Sequence, residues 1–203
     1  MKKHIAAAIC LLALQLHADE SKPLLTQPGK IIAQPDFKSP LSAEWTVKHG
    51  TWEPADGVLT VAELPENKHA AVLWHSAGLA SAIIECEFQW DGAKSFLVGC
   101  DGAKHIGRMV ITAKGAKLCE DSTEVKGKTP SHTLAETAVD LKPGEWHKLR
   151  VEWTGDRMAA RLDGKELQAQ HPYLATPKAR WWFAVSGAKL KLCHVQAWEG
   201  KPQ

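Results

Sequence analysis

The sequence has no marked excess of charge of either sign: 25 lysines and arginines face 23 acidic residues over 203 positions. Lys2 and Lys3 lie in a segment that we expect to be removed, and without them basic and acidic residues are equal in number. A protein that binds phosphate backbones concentrates lysine and arginine on one face. The composition therefore argues against nucleic acid as a partner.

Long apolar runs are also missing, with one exception at residues 5–16. That run follows the basic residues Lys2 and Lys3, ends at a plausible cleavage site, Leu16-His17-Ala18, and is too short to span a bilayer comfortably. This arrangement is typical of a signal peptide. We expect residues 1–18 to be one, with no membrane anchor and with the mature protein periplasmic or secreted.

Cysteine is scarce and no Cys-x-x-Cys pair occurs, so a zinc site is not expected. Four cysteines remain after residues 1–18, and an even number in an exported protein suggests disulfides, with three possible pairings. Cys86 and Cys100 flank Asp91-Gly92 and would lie nearly opposite each other across a hairpin turn. The alternative is four small buried side chains. The four residues are Cys86, Cys100, Cys119 and Cys193.

Several enzyme signatures are absent. There is no glycine-rich phosphate loop, no His-Glu-x-x-His, no EF-hand ladder and no Gly-x-Ser-x-Gly. Asp101, Glu120 and Asp121 could touch a calcium ion, but scattered carboxylates are weak evidence. We expect no metal site and no cofactor.

What is present is strand periodicity, clearest between Gly144 and Thr154. Leu149, Val151 and Trp153 fall on one parity, and charged residues fall on the other, as in a strand buried on one face. Asp163-Gly164 then predicts a hairpin turn, because both central residues of a type I′ turn need positive φ.

The remaining chain repeats this pattern. Short strands separated by turns every 8–12 residues, with no apolar run of helical period, predict an all-β, two-sheet antiparallel sandwich. Residues 19–35 read as a polar N-terminal arm, ending in one edge strand at Ile31-Ile32, and residues 123–138 as a long loop. Further turns are predicted at Asp91-Gly92 and at Ser186-Gly187-Ala188.

Three stretches resemble a known family. Trp45 to Leu59, Ile84 to Trp90, and Gly144 to Lys165 look like a concanavalin-A-like (laminin-G-like) jelly roll, and more narrowly like exported bacterial 3-keto-disaccharide hydrolase domains. The resemblance covers residues 36–199. It implies two stacked antiparallel sheets, one of them facing a sugar.

The strand at residues 82–90 carries the most interesting polar face. Glu85, Glu87 and Gln89 share it, and two carboxylates about 6.6 Å apart are in the range for glycosidic hydrolysis. However, family-16 glycoside hydrolases on this fold carry Glu-x-Asp-x-x-Glu, and the middle Asp and final Glu are missing here. The alternative is the solvated outer face of an ordinary strand.

Two further positions supply polar chemistry. His105 could act as a base near neutral pH, and Arg108 could hold hydroxyls or a carboxylate in its fork. Both could equally be surface residues at the start of a strand. Trp181 and Trp182 must point to opposite faces, so one indole is expected outside the core. Trp182 could stack there on a sugar ring, or it could equally be a residue that contacts another domain.

Three functions remain open. The first is an exported carbohydrate-interacting module with a groove of five residues: Glu85, Glu87, Gln89, Arg108 and Trp182. The second, implied by the resemblance, is cleavage of 3-keto glycosides. A 3-keto group acidifies the neighbouring C–H, so a single base suffices, and Glu87 with His105 is the predicted pair of base and polariser. The third is a structural or adhesion domain.

Overall fold

The computed structural model describes residues 22–122 and 131–201, and the predicted signal peptide at residues 1–18 lies outside them. Neither helix in the described ranges has the length and apolar character that crossing a membrane requires. The elements are β1 Gln27–Ala33, β2 Trp45–His49, β3 Thr51–Ala55, β4 Val58–Ala62, a 3-10 helix Pro65–Asn67, β5 Ala71–Leu79, β6 Ser81–Asp101, β7 His105–Ile111, β8 Gly115–Glu120, β9 His132–Ala138, β10 Trp146–Thr154, β11 Arg157–Leu162, β12 Lys165–Gln170, a second 3-10 helix Pro172–Ala175, and β13 Lys178–Lys201.

Two strands much longer than the others, β6 and β13, connect the whole fold. They pair with each other along most of their length, and the register of that ladder shifts around residues 186–190 of β13. Residues 81–89 of β6 also pair with β10, whereas residues 96–101 pair with β7. Similarly, β13 pairs with β1 and β4 on one side of the shift and with β5 on the other. Each long strand therefore belongs to two layers.

The first layer has the order β12-β11-β10-β6-β13-β4-β3, with β1 also on β13, and contains the first half of β6 and the second half of β13. The second layer contains the other halves, in the order β9-β8-β7-β6-β13-β5-β2. One core lies between them: the rings of Phe88 and Phe96 are 5.2 Å apart, and Trp153 and Trp181 are fully buried. The predicted all-β, two-sheet antiparallel jelly roll is confirmed.

The meander β10–β11–β12 has the predicted strands and turn. The prediction that β10 is buried on one face only is wrong, because Arg150 and Glu152 on its charged parity are also buried, with residues 24–26 bonded to Glu152. Leu149, Val151 and Trp153 are buried in the core. Asp163 and Gly164 both have positive φ, at 47° and 79°, as the two central residues of a type I′ turn require. This region was predictable because strand alternation and turn chemistry are both local properties of the sequence.

The predicted turns at Asp91-Gly92 and Ser186-Gly187-Ala188 are wrong. Neither reverses the chain; each lies inside a long strand where that strand passes from one layer to the other. Gly92 has φ +83° and Gly187 φ +90°, so both adopt a conformation that bends a strand as readily as it closes a hairpin. At Gly187 an added Cβ would lie 2.7 Å from the backbone nitrogen of Lys94.

The predicted closeness of Cys86 and Cys100 is wrong for the same reason. Both lie on the continuous strand β6, so no hairpin register places them opposite each other. All four cysteines of the described chain are free and buried, which agrees with the alternative of small apolar side chains.

The predicted arm and loop also contain strands. Ile31 and Ile32 lie in β1, which begins at Gln27 and pairs with β13. Before β1, the backbone N–H groups of residues 24–26 donate to the fully buried carboxylate of Glu152, at 2.9, 2.6 and 3.0 Å. The sheet therefore begins ahead of residue 36. Within the predicted loop, β9 pairs with β8.

We expect Gly187→Ala to destabilise the protein by about 3 kcal/mol, because the new Cβ meets backbone at 2.7 Å and the residue must keep a positive φ. Urea unfolding measures this free energy. Gly155→Ala is the matched control: its φ is +54° but an added Cβ has no atom within 4 Å, so it should cost about 1 kcal/mol. Equal losses in both variants would show that the corner is not sterically constrained.

Candidate functional site

Because β6 passes through both layers, its outward side chains do not share one surface. On the first layer, Glu85 and Glu87 alternate with buried residues and face outward. On the second layer, Gly99 pairs with both Arg108 and Trp182. The predicted site residues therefore form two groups: Glu85, Glu87 and Gln89 on the first layer, and His105, Arg108 and Trp182 on the second. The structure does not bring Glu87 and His105 together.

The second-layer group is organised by the buried carboxylate of Asp101, at the end of β6. Its Oδ1 accepts a hydrogen bond from Trp182 Nε1 at 2.6 Å and lies 2.8 Å from His105 Nδ1, while Oδ2 lies 3.4 Å from Arg180 Nε. Burial acts to raise the pKa of Asp101, but these donors outweigh it and hold that pKa below its usual value.

The same contact raises the pKa of His105. Its hydrogen bond to Asp101 is the main cause of a raised imidazole pKa, with burial opposing it. Since Nδ1 is held by Asp101, Nε2 is the ring nitrogen that a ligand can reach, and the side chain is 49% exposed. A carboxylate that fixes the imidazole tautomer in this way is a common arrangement for a general base.

A second ion pair adjoins the first. Arg108 Nη2 donates to Asp121 Oδ1 at 2.7 Å, and the Asp121 side chain is only 1% exposed. Burial raises the pKa of Asp121, with Arg108 opposing the shift. Asp121 also acts electrostatically on His105. The two pairs therefore form one charged network, which we call the Asp101 network (Asp101, His105, Arg108 and Asp121).

Trp182 has a different role from the one predicted. It lies on the face opposite Trp181, as its position in the strand requires, but it is only 3% exposed. Its ring packs over Gly99, where an added Cβ would lie 2.3 Å from Cζ2. Trp182 is therefore not available to stack on a sugar, and what it supplies to the site is the N–H bond to Asp101.

Glu85 and Glu87 of the first-layer group line a groove of about 290 Å³ between β6, β10, β11 and β13, whereas Gln89 shares their face of β6 but is not part of the groove wall. Arg150 lies in this groove, donating Nη1 to Glu85 and Nε to Glu152, the latter at 2.5 Å. Its Nη2 is buried and has no hydrogen-bond partner in the described chain. The groove is polar and mixed in charge, with the side chains of Glu85, Glu87, Lys148, Arg150, Arg161 and His194 on its walls.

The exposed indole of this surface is Trp146, at 41% exposure. It lies opposite Gln89 in the ladder and therefore shares the face of the groove. Gln89 in turn accepts a hydrogen bond from Lys191 Nζ at 3.1 Å. The sequence contains a signal for Trp146, since this residue falls on the charged parity of β10, opposite to that of Leu149 and Trp153.

Comparison with solved structures supports the fold. The carbohydrate-binding module CBM66 from Bacillus subtilis superposes with a TM-score of 0.62 at 16% identity, over 77% of this chain and 96% of that chain. A Bacillus subtilis protein of unknown function with a galectin-like fold gives 0.63 at 11%, over 88% and 100%. A prokaryotic β-1,3-1,4-glucanase (lichenase) from a mouse hindgut metagenome gives 0.59 at 13%, over 83% and 99%.

At these identities the likeness establishes a concanavalin-A-like jelly roll and nothing finer. No protein-family model matches the chain, and no curated protein sequence matches it.

We expect Asp101→Asn to lower the pKa of His105, because the raised value depends chiefly on the hydrogen bond to the carboxylate. NMR titration of the imidazole resonances measures it, with Glu166→Gln on the first layer as a control that leaves the His105 curve in place. In the unaltered protein the pair stabilises the fold most between pH about 3.9 and about 6.5. This contribution fades as pH rises through the raised pKa of His105 and as pH falls through the lowered pKa of Asp101. An unchanged titration in Asp101→Asn would contradict the assignment.

Proposed function

We propose that this protein acts on carbohydrate and that its site is the Asp101 network. The observation that carries the proposal is the His105–Asp101 pair, a half-exposed imidazole whose tautomer is fixed by a buried carboxylate. Such a group is a base suited to neutral pH. The fold adds support, since a carbohydrate-binding module and a glucanase are built on it.

The substrate class we propose is a 3-keto glycoside, in line with the resemblance to exported bacterial 3-keto-disaccharide hydrolase domains. His105 Nε2 removes the proton from C2, which the neighbouring ketone acidifies. The electron pair of that C–H bond forms the C1–C2 double bond as the C1–O bond breaks. The departing oxygen takes up the proton from the imidazolium, and the released fragment leaves as an alcohol.

Arg108 has a separate task in this scheme. Negative charge builds on the ketone oxygen while the C2 proton is being removed, and a guanidinium beside His105 stabilises it there. Asp121 holds Arg108 in position through its bond to Nη2. Addition of water across the C1–C2 double bond then completes a net hydrolysis. No second carboxylate of the family-16 type is needed.

We also propose that the protein is exported to the periplasm or secreted. Residues 1–18, with a basic start, an apolar run and small residues near Ala18, support export to the periplasm or beyond. Cell fractionation of the native producer, followed by mass spectrometry of the protein's N-terminus, tests both the location and cleavage near Ala18.

We expect His105→Gln to reduce kcat on 3-keto-disaccharides by about 10²- to 10⁴-fold, because the base is lost while the fold is kept. Asp101→Asn should keep partial activity and move the lower limb of the pH–rate profile to lower pH, since it lowers the pKa of the base. Product formation is followed by mass spectrometry, in parallel with the unoxidised disaccharides.

His69→Gln is the matched control, since that imidazole is exposed, stacks on His49, and lies away from the network. Full activity in His105→Gln would remove His105 from the reaction. Absence of any product with the unaltered protein would leave binding or a structural role as its function.

A non-catalytic binding function is the second candidate, favoured by the groove beside Trp146. An indole at 41% exposure next to polar side chains is the usual platform for a pyranose ring. We expect Trp146→Ala to weaken glycan binding by about tenfold or more, measured by calorimetry. His105→Gln should leave that affinity unchanged, so the two surfaces can be told apart. Equal affinity of Trp146→Ala and the unaltered protein would exclude the groove as a sugar site.

A further inference from the structure

Strand β13 contains one more residue than its partner β6 in the middle of the first layer. In the ladder Cys193 lies opposite Glu87 and Gln196 opposite Glu85, so three steps along β13 match two along β6. This is a β-bulge, and at its centre His194 has φ +50°. A non-glycine residue in the left-handed region costs about 1–2 kcal/mol, and bulges of this kind re-aim a side chain near functional sites.

The bulge gathers three metal-binding atoms. One donor atom each from Glu87, Cys193 and His194 lie within 4.8 Å of one another. His194 Nδ1 is 3.4 Å from Glu87 Oε1 and 3.6 Å from Cys193 Sγ. Without the extra residue, His194 would alternate with Cys193 and point to the core, where Val195 now lies buried.

These separations match tetrahedral zinc. Zn–N bonds of about 2.05 Å and Zn–S bonds of about 2.3 Å, at a tetrahedral angle, put the nitrogen and sulfur about 3.6 Å apart. With a Zn–O bond of about 2.1 Å, the nitrogen and oxygen are about 3.4 Å apart. The two distances from His194 Nδ1 therefore fit a single ion bound by all three side chains, and the third separation, between the donors of Glu87 and Cys193, is no more than 4.8 Å.

We propose that Glu87, Cys193 and His194 form a site for zinc or a similar borderline divalent transition metal. A thiolate and an imidazole select such ions over Ca²⁺ and Mg²⁺, which prefer oxygen ligands. Three protein ligands leave the fourth position of a tetrahedron open, and Glu87 and His194 both line the groove. The fourth ligand is thus water or an oxygen atom of a molecule bound in the groove.

The site is independent of the proposed reaction, because it lies on the first layer and the Asp101 network lies on the second. Nearby charges set its affinity. Glu85 neighbours Glu87 along the same face and is engaged by Arg150, whereas Lys148 lies opposite Glu87 in the ladder and disfavours a cation.

Cobalt titration tests the proposal on the full, untagged chain after treatment with chelator. Co²⁺ should bind in one equivalent and produce a thiolate-to-metal charge-transfer band with the visible bands of tetrahedral cobalt, and Zn²⁺ should displace it. Cys193→Ser should abolish the charge-transfer band. Glu87→Gln and His194→Asn should each weaken Co²⁺ binding by about tenfold or more.

Asparagine is chosen at position 194 because it tolerates positive φ, so the bulge is preserved while the imidazole is removed. Cys119→Ser is the matched control for a buried thiol elsewhere, and His69→Gln for an exposed imidazole. Circular dichroism establishes that each variant is folded. A charge-transfer band that persists in Cys193→Ser, or the absence of any Co²⁺ and Zn²⁺ binding by the folded protein, would overturn the proposal and leave His194 and Glu87 as an ordinary ion pair.

Discussion

The structure depends on the pairing of β6 with β13 around two glycine corners. Both strands must bend at the same place, and they do so where Gly92 and Gly187 adopt positive φ and the ladder shifts register. An added Cβ at Gly92 would lie 3.1 Å from the Ala188 Cβ, so the two corners are also packed closely together. The two layers thus share their central strands, so a distortion at the corner changes the strand positions in both layers.

This shared pair explains why one molecule carries two chemically different surfaces. Along β6, residues up to Gln89 lie in the first layer, and residues around Gly99 lie in the second, so their outward side chains are on different surfaces. The second-layer face ends in buried carboxylates paired with an imidazole and a guanidinium, an arrangement suited to moving a proton. The first-layer face carries a polar groove and, on the same face, the exposed indole of Trp146, an arrangement suited to holding a ligand.

Local patterns predicted the meander β10–β12, the buried positions of β6 and the all-β class, because alternation and the Asp163-Gly164 turn need no distant partner. The corners were not predictable, since a glycine with positive φ serves a hairpin and a bend equally well, and only the pairing with β13 decides between them. Alternation along β6 also predicted that Glu85 and Glu87 share one face. It could not predict the residues of β10 and β13 that lie beside them, because strand pairing is not a local property. Its position in the strand predicted that Trp182 lies outside the main core. The position could not predict that Trp182 is buried there in a second, smaller cluster with Val72 and Ala184. The bulge at His194 was not predictable from alternation along β13, because it is defined by the register with β6.

The bonds from residues 24–26 to Glu152 bear on where this domain can be cut. Three backbone donors and Arg150 converge on one carboxylate with no exposure to solvent. Hydrogen bonds to a charged group are each worth about 1.5–3 kcal/mol, and a carboxylate left without them has to be rehydrated in an apolar setting. A chain that began at residue 36, where the jelly-roll resemblance begins, would lack β1 and the three backbone donors, and the carboxylate of Glu152 would lose their hydrogen bonds. For excision, fusion or grafting, the smallest intact unit therefore starts at or before Leu24.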